Sequence, residues 1–225
     1  MAFLARGGFL PVITPALMGI GFILVHLFGN PLFGVAASLG IFMLMLSAFF
    51  ANFWRDPDRP IPRDEGIIVS PADGHVMFAK RERATGRRPS NDEMADAEQD
   101  ELTGTWHPEP CADVLSFSTE QRFEAVPEGE ESDDDVWRIA VFMSPLDVHV
   151  NRSPIAGKIT RMEHRTGKGM RRGPFLPAFK KESEYNERVR TLFEREDGLL
   201  VEVMQISGAL ARTIVPWTSE GDTMR

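Results

Sequence analysis

From Phe9 to Phe53 the chain carries no Asp, Glu, Lys or Arg, and this apolar run is broken only at Gly29-Asn30-Pro31, a turn signal. About 20 apolar residues cross a bilayer core, so the two halves predict two membrane-spanning helices joined as a hairpin. Arg6 precedes the first helix, and Arg55, Arg59 and Arg63 follow the second. The positive-inside rule then puts both outer ends in the cytoplasm. The run is too long for a cleaved signal peptide, and no small-residue cleavage site closes it. After Trp54 the pattern shifts to short apolar and alternating segments between Gly and Pro turns. "GIIVSPADGHVMFAK" predicts a strand, a turn at "PADG" and a second strand; "VWRIAVFMSPLDVHV" and "IAGKITRMEHR" predict one strand each, and "GLLVEVMQISGALARTIVPW" one or two more. Only "AFKKESEYNERVRTLF", charged in both signs and poor in breakers, predicts a helix. The expected fold is mainly β within an α+β class. Residues 1–54 form a membrane anchor, and 55–225 a β-rich domain of barrel or sandwich type on the cytoplasmic face of the inner membrane.

Charge changes this picture by locating an insertion. Between Asp92 and Asp135 sixteen Asp and Glu stand against one basic residue, Arg122, so that segment carries −15 of an overall −8 and the rest of the chain is +7. Acidic blocks with few aromatics are usually solvated, which marks an insertion at about residues 90–135, with "ADVLSFS" as a strand inside it. A basic body below a membrane anchor suits anionic lipid headgroups, a merely solvated mixture of charges being the alternative. The partners expected are such a lipid surface and no nucleic acid, with a homo-oligomer compatible. The single cysteine, Cys111, excludes an intrachain disulfide, and His26, His75, His107, His149 and His164 show no i, i+4 pair, so no metal is indicated. His26, near the "GNP" turn, is expected to be a neutral interfacial residue.

The candidate chemistry sits at strand ends. "SPLDVHVNRSP", Ser144 to Pro154, follows the apolar "WRIAVFM", and "SPADG" places Asp73 at another strand end. An Asp paired to a His fixes the imidazole tautomer and makes the other nitrogen a better base, able to activate a hydroxyl. On local physics alone Asp73 reads first as an Asp-Gly turn former, whereas for His149 a strand-end histidine satisfied by backbone is an equal alternative.

Five ordered segments, "NFWRDPDRPIP", "GIIVSPADGHV", "IAVFMSPLDVHVNRSPIAGKI", "FLPAFKKESEYNERV" and "VEVMQISGALARTIV", resemble those of the short-form phosphatidylserine decarboxylases. The resemblance covers the anchor and nearly all of the rest except the acidic insertion. It implies a proenzyme in which Asp73 and His149 assist the serine of a C-terminal Gly-Ser pair to split the chain, leaving a pyruvoyl group. Phosphatidylserine is then decarboxylated to phosphatidylethanolamine through a pyruvoyl Schiff base. Arg152 is expected to pair with the lipid phosphate or carboxylate, a plain surface arginine being the alternative; Asn151 and Asn186 are expected to contact substrate, and by the resemblance Asn186, Glu187 and Arg188 give polar support. Longer relatives carry a histidine where this chain has Arg152. None of the nineteen glycines precedes a serine, so the pyruvoyl-forming serine is expected on a missing C-terminal segment or a small partner chain. A catalytically incomplete, membrane-anchored lipid-binding relative is the alternative.

Overall fold

Two apolar helices, α1 (Phe9–Phe28) and α2 (Gly34–Phe53), come first along the chain. They appear in a computed structural model that describes residues 3–29, 34–62, 66–84, 98–99, 106–107, 123–133, 135–165, 175 and 186–224. Their mean hydropathies are 2.0 and 2.1, yet only 11% and 17% of the apolar windows are buried, so both are long and apolar enough to cross a membrane. A soluble core helix would instead hide such a surface. The helices meet backbone to backbone at Gly19 and Gly40: a Cβ added to Gly19 would lie 2.9 Å from the Gly40 carbonyl oxygen. Ser47 Oγ donates to the Val12 carbonyl at 2.8 Å across the same seam, satisfying a hydroxyl that faces the partner helix.

Contacts gather the chain into two compact units, Met1–Gly74 with Met143–Arg152, and His75–Phe142 with Ser153–Arg225. In the first unit the N-terminal segment returns to the exit of α2. Ala5 N donates to the Trp54 carbonyl at 2.8 Å, and Asp56 N to the Phe3 carbonyl at 3.0 Å. Ala5, Val148 and Val150 form a small buried cluster, with Trp54 packed against it.

The second unit is antiparallel β. β1 (His75–Ala84), β4 (Phe123–Ala125) and β5 (Val136–Phe142) form a sheet of order β4-β1-β5, while β2 (Glu98–Gln99) and β3 (Trp106–His107) pair separately. β6 (Gly157–Arg165), β7 (Arg188–Glu194), β8 (Leu200–Ile206) and β9 (Thr223–Met224) form the order β8-β7-β6-β9. Its core is Ile155, Ile159 and Phe193, flanked by Met162, Val201, Val203 and Met224. Gly157 is required where β6 begins, because a Cβ there would collide with the Glu194 carbonyl. Both larger sheets end in edge strands, so no barrel closes among the described residues.

Two expected elements change. Residues 67–70 take no ladder partner and lead instead into the Asp73 turn. "NERVRTLF" is not helical from Arg188 onward: it is β7, central between β6 and β8, with Arg190 Nη2 2.8 Å from Glu202 on the neighbouring strand. Burial of Val189, Thr191 and Phe193 at period two outweighs the charges on which the helical expectation rested. Residues 176–185, the "NP" of the turn after α1, Arg63, Cys111 and "ADVLSFS" lie outside the described residues. The acidic insertion does reach the sheet at its end, where Asp135 lies 2.5 Å from Arg83 and 3.2 Å from Arg81.

Candidate active site

Loop 143–152 is shaped by its own polar groups before anything packs on it. Ser144 N donates to Asp147 Oδ2 at 2.6 Å, and Asp147 N to the Ser144 carbonyl at 3.0 Å, closing a turn. Beyond it burial alternates. Val148 and Val150 are 3% and 9% exposed and enter the Ala5 and Trp54 cluster, so His149 and Asn151 face the other way.

His149 is held on two sides. Its Nδ1 lies 3.0 Å from the Asp147 carbonyl oxygen. A carbonyl can only accept, so the hydrogen is on Nδ1, and Nε2 carries the lone pair. Phe53, the last residue of α2, stacks on the imidazole with centroids 4.0 Å apart and planes at 28°. Burial pushes the imidazole below the usual histidine range, and the Arg55 cation adds to this; the Asp147 carbonyl and carboxylate pull the other way. The ring is therefore a neutral base with Nε2 available at neutral pH.

The neighbours of His149 define what else the loop offers. Asn151 Oδ1 is buried without a hydrogen-bond partner, an acceptor awaiting a donor. Arg152 pairs its guanidinium with Asp56, and its N–H donates to the Pro71 carbonyl at 2.9 Å, tying the loop to the turn that presents Asp73. That turn needs Gly74, whose φ of 139° disfavours a side chain.

Asp73 and His149 share one unit but are not hydrogen-bonded to each other. Both Asp73 oxygens are taken by Arg59, at 2.6 and 2.7 Å, in a two-pronged pair about one third exposed. Asn186 lies in the other unit, fully buried, with Nδ2 donating to the Ser207 carbonyl at 2.8 Å. Next to it Glu187 Oε1 accepts from Ile214 N at 3.1 Å and lies 2.9 Å from His164 Nε2, so this polar pair fastens the start of β7 to the segment after β8. Among the described residues no three His, Cys, Asp or Glu side chains group as a metal site.

Sequence reasoning missed Arg59, Asp147 and the helix exit. No spacing rule links Arg59 to an Asp fourteen positions on. The main-chain role of Asp147 leaves no residue-type signal at all. The helix exit did have a signal: "NFWRD", Asn52 to Asp56, sets five different chemistries across the end of the apolar run.

Comparison with known proteins converges on these segments. The family model for phosphatidylserine decarboxylase matches residues 46–225. A phosphatidylserine decarboxylase proenzyme of Streptomyces griseus is 55% identical over 185 residues, covering 82% of this chain and 59% of the relative. The proenzyme of Thermobifida fusca is 34% identical over 218 residues, 97% of this chain and 71% of the relative. That of Erythrobacter litoralis is 37% identical over 171 residues, 76% of this chain and 53% of the relative. The chain thus spans about half to seven-tenths of the length of these relatives.

Proposed function

Because the chain belongs to the phosphatidylserine decarboxylase family, we propose that it is the large N-terminal part of a proenzyme that, once processed, converts phosphatidylserine to phosphatidylethanolamine. The observation that carries this reading is His149, fixed through Nδ1 by the Asp147 carbonyl and left with a free Nε2 lone pair. The helices anchor it in the membrane with both outer ends cytoplasmic, on the charge pattern of Arg6, Arg55, Arg59 and Arg63. The basic remainder of the chain faces anionic headgroups.

A pyruvoyl group, derived in this family from a serine that residues 1–225 do not contain, supplies a carbonyl for the substrate amine and an electron sink for the departing carboxylate. The loop suits the chemistry of such a group, since it offers a base at His149 Nε2 and, at Asn151 Oδ1, an unpartnered buried acceptor for the N–H of the amine that condenses with it. His149 Nε2 takes a hydroxyl proton during self-cleavage, and later holds one for return to the substrate carbon. Asn151 Oδ1 accepts from the substrate ammonium. Arg152 exchanges Asp56 for the lipid phosphate or carboxylate. Asp73 assists His149 after leaving Arg59, or acts from where Arg59 holds it.

The chain fused to the C-terminal segment of a relative carrying the Gly-Ser pair tests this reading. Self-cleavage on a denaturing gel and CO2 release from phosphatidylserine vesicles are the expected results, and His149→Ala abolishes both. Asp73→Asn slows cleavage by less than the ~10⁴-fold loss of an orienting Asp in a serine-protease triad, because the Asp147 carbonyl still holds the tautomer. Undiminished cleavage without His149 would remove the mechanism.

A further inference from the structure

Five consecutive residues at the exit of α2 each meet the His149 loop or its cluster. Asn52 Nδ2 donates to the Leu146 carbonyl at 3.3 Å, and Arg55 Nη2 donates to the same oxygen at 2.9 Å. Phe53 stacks on the imidazole, Trp54 packs on the cluster of Val148 and Val150, and Asp56 holds Arg152. Arg55 is itself braced on Asn52, its Nη1 donating to the Asn52 carbonyl at 3.1 Å. A helix merely passing the loop would not be followed by contacts from five residues in a row. Of these five, Phe53 is the one whose ring stacks on the imidazole face, the side that neither ring nitrogen can protect.

We propose that Phe53 is a positioning residue for the base: by covering one face of His149 it keeps the ring out of water and holds Nδ1 on the Asp147 carbonyl, so that α2 sets the tautomer and availability of Nε2. The proposal rests on His149 being the base, and it adds that the anchor is part of the catalytic apparatus. An imidazole free to rotate about its side-chain torsions would lose the 3.0 Å contact to Asp147, and water would replace it. The stack fixes those torsions without competing for either nitrogen. The charged groups acting on the ring are Asp147 on its own loop and Arg55 on the helix exit, and neither is removed by substitution at Phe53.

The whole 225-residue chain, labelled with ¹⁵N in its imidazoles and held in lipid nanodiscs, provides a direct test. His149→Gln identifies the His149 signals among the five histidines. The unsubstituted chain should show His149 protonated on Nδ1 and titrating below the usual ~6.5. Phe53→Ala should raise its titration by about half a unit or more towards that value and weaken the Nδ1-protonated form. Phe53→Tyr, which keeps the flat face, should restore both. If Phe53→Ala fails to fold, Phe53→Leu fills the space without a flat face and should shift the same signals in the same direction. A folded Ala or Leu variant with unchanged titration and tautomer would overturn the proposal. Because this readout requires neither Gly-Ser nor turnover, its failure is separate from a failure of the fused protein to cleave.

Discussion

His149 carries its tautomer control in its own backbone, two residues upstream, and this has a consequence for pH. Its folded-state pKa is depressed chiefly by burial, so the unfolded chain binds more protons than the folded one over the interval below the unfolded value of about 6.5. Stability contributed by the neutral ring is fully present above that value and is lost as pH falls from it towards the folded value. The unfolding midpoint of the detergent-solubilised chain should therefore fall between pH 7.5 and pH 5. His149→Gln, which cannot titrate, should show a shallower fall, and identical slopes would mean that the ring is not desolvated. At this scale the sequence drew attention to His149, because a histidine between alternating valines at a strand end is a visible anomaly. It did not hold the partner. The expected Asp73–His149 pair puts a carboxylate on the imidazole, whereas in this structure Arg59 holds both Asp73 oxygens and the Asp147 carbonyl meets Nδ1.

The helices and strands were legible to different degrees for a physical reason. Two uncharged stretches of membrane length admit one economical reading, and α1 and α2 cover nearly all of them. β7 was misread because charge was weighed ahead of alternation: Arg190 is only 5% exposed, and it is tolerated because Glu202 lies beside it on β8. The contact between α1 and α2 was likewise not legible, since glycines are frequent in such helices and only some touch. Gly19 and Gly21 make the comparison. A Cβ on Gly19 would press on the Gly40 carbonyl and on Leu44, whereas one on Gly21 would meet nothing within 4 Å. Gly19→Ala should cost about 1–3 kcal/mol through forced separation of the helices. Gly21→Ala should be neutral or slightly stabilising, because alanine is the better helix former. Thermal unfolding followed at the helical circular-dichroism band would distinguish the two. Equal effects would show that the close approach at Gly19 does not hold the pair together.

Across the whole molecule the overall charge conceals the arrangement, for the acidic segment carries −15 while the remainder is +7. Part of that segment is bound rather than solvated, as β4 pairs with β1 and Asp135 with Arg83. Composition could not reveal this, because it counts charges and not their partners. A different pairing bears on the proposed membrane orientation. Leu4 bridges Arg55, Ala5 N meets the Trp54 carbonyl, and Asp56 N meets the Phe3 carbonyl, which brings the entry of α1 and the exit of α2 to the same end of the hairpin. Arg6, Arg55 and Arg59 lie at that end, so it should face the cytoplasm. In a chain carrying Cys111→Ser, single cysteines at Phe3→Cys and Asp58→Cys should both resist a membrane-impermeant maleimide in intact cells. Both should react once the inner membrane is permeabilised, because both positions are exposed. Labelling of only one in intact cells would place the two ends on opposite sides, which the Ala5 and Trp54 pairing forbids. Labelling of both would leave the hairpin intact but reverse it, and would put the His149 loop, clamped to the same helix exit, on the outer face of the membrane.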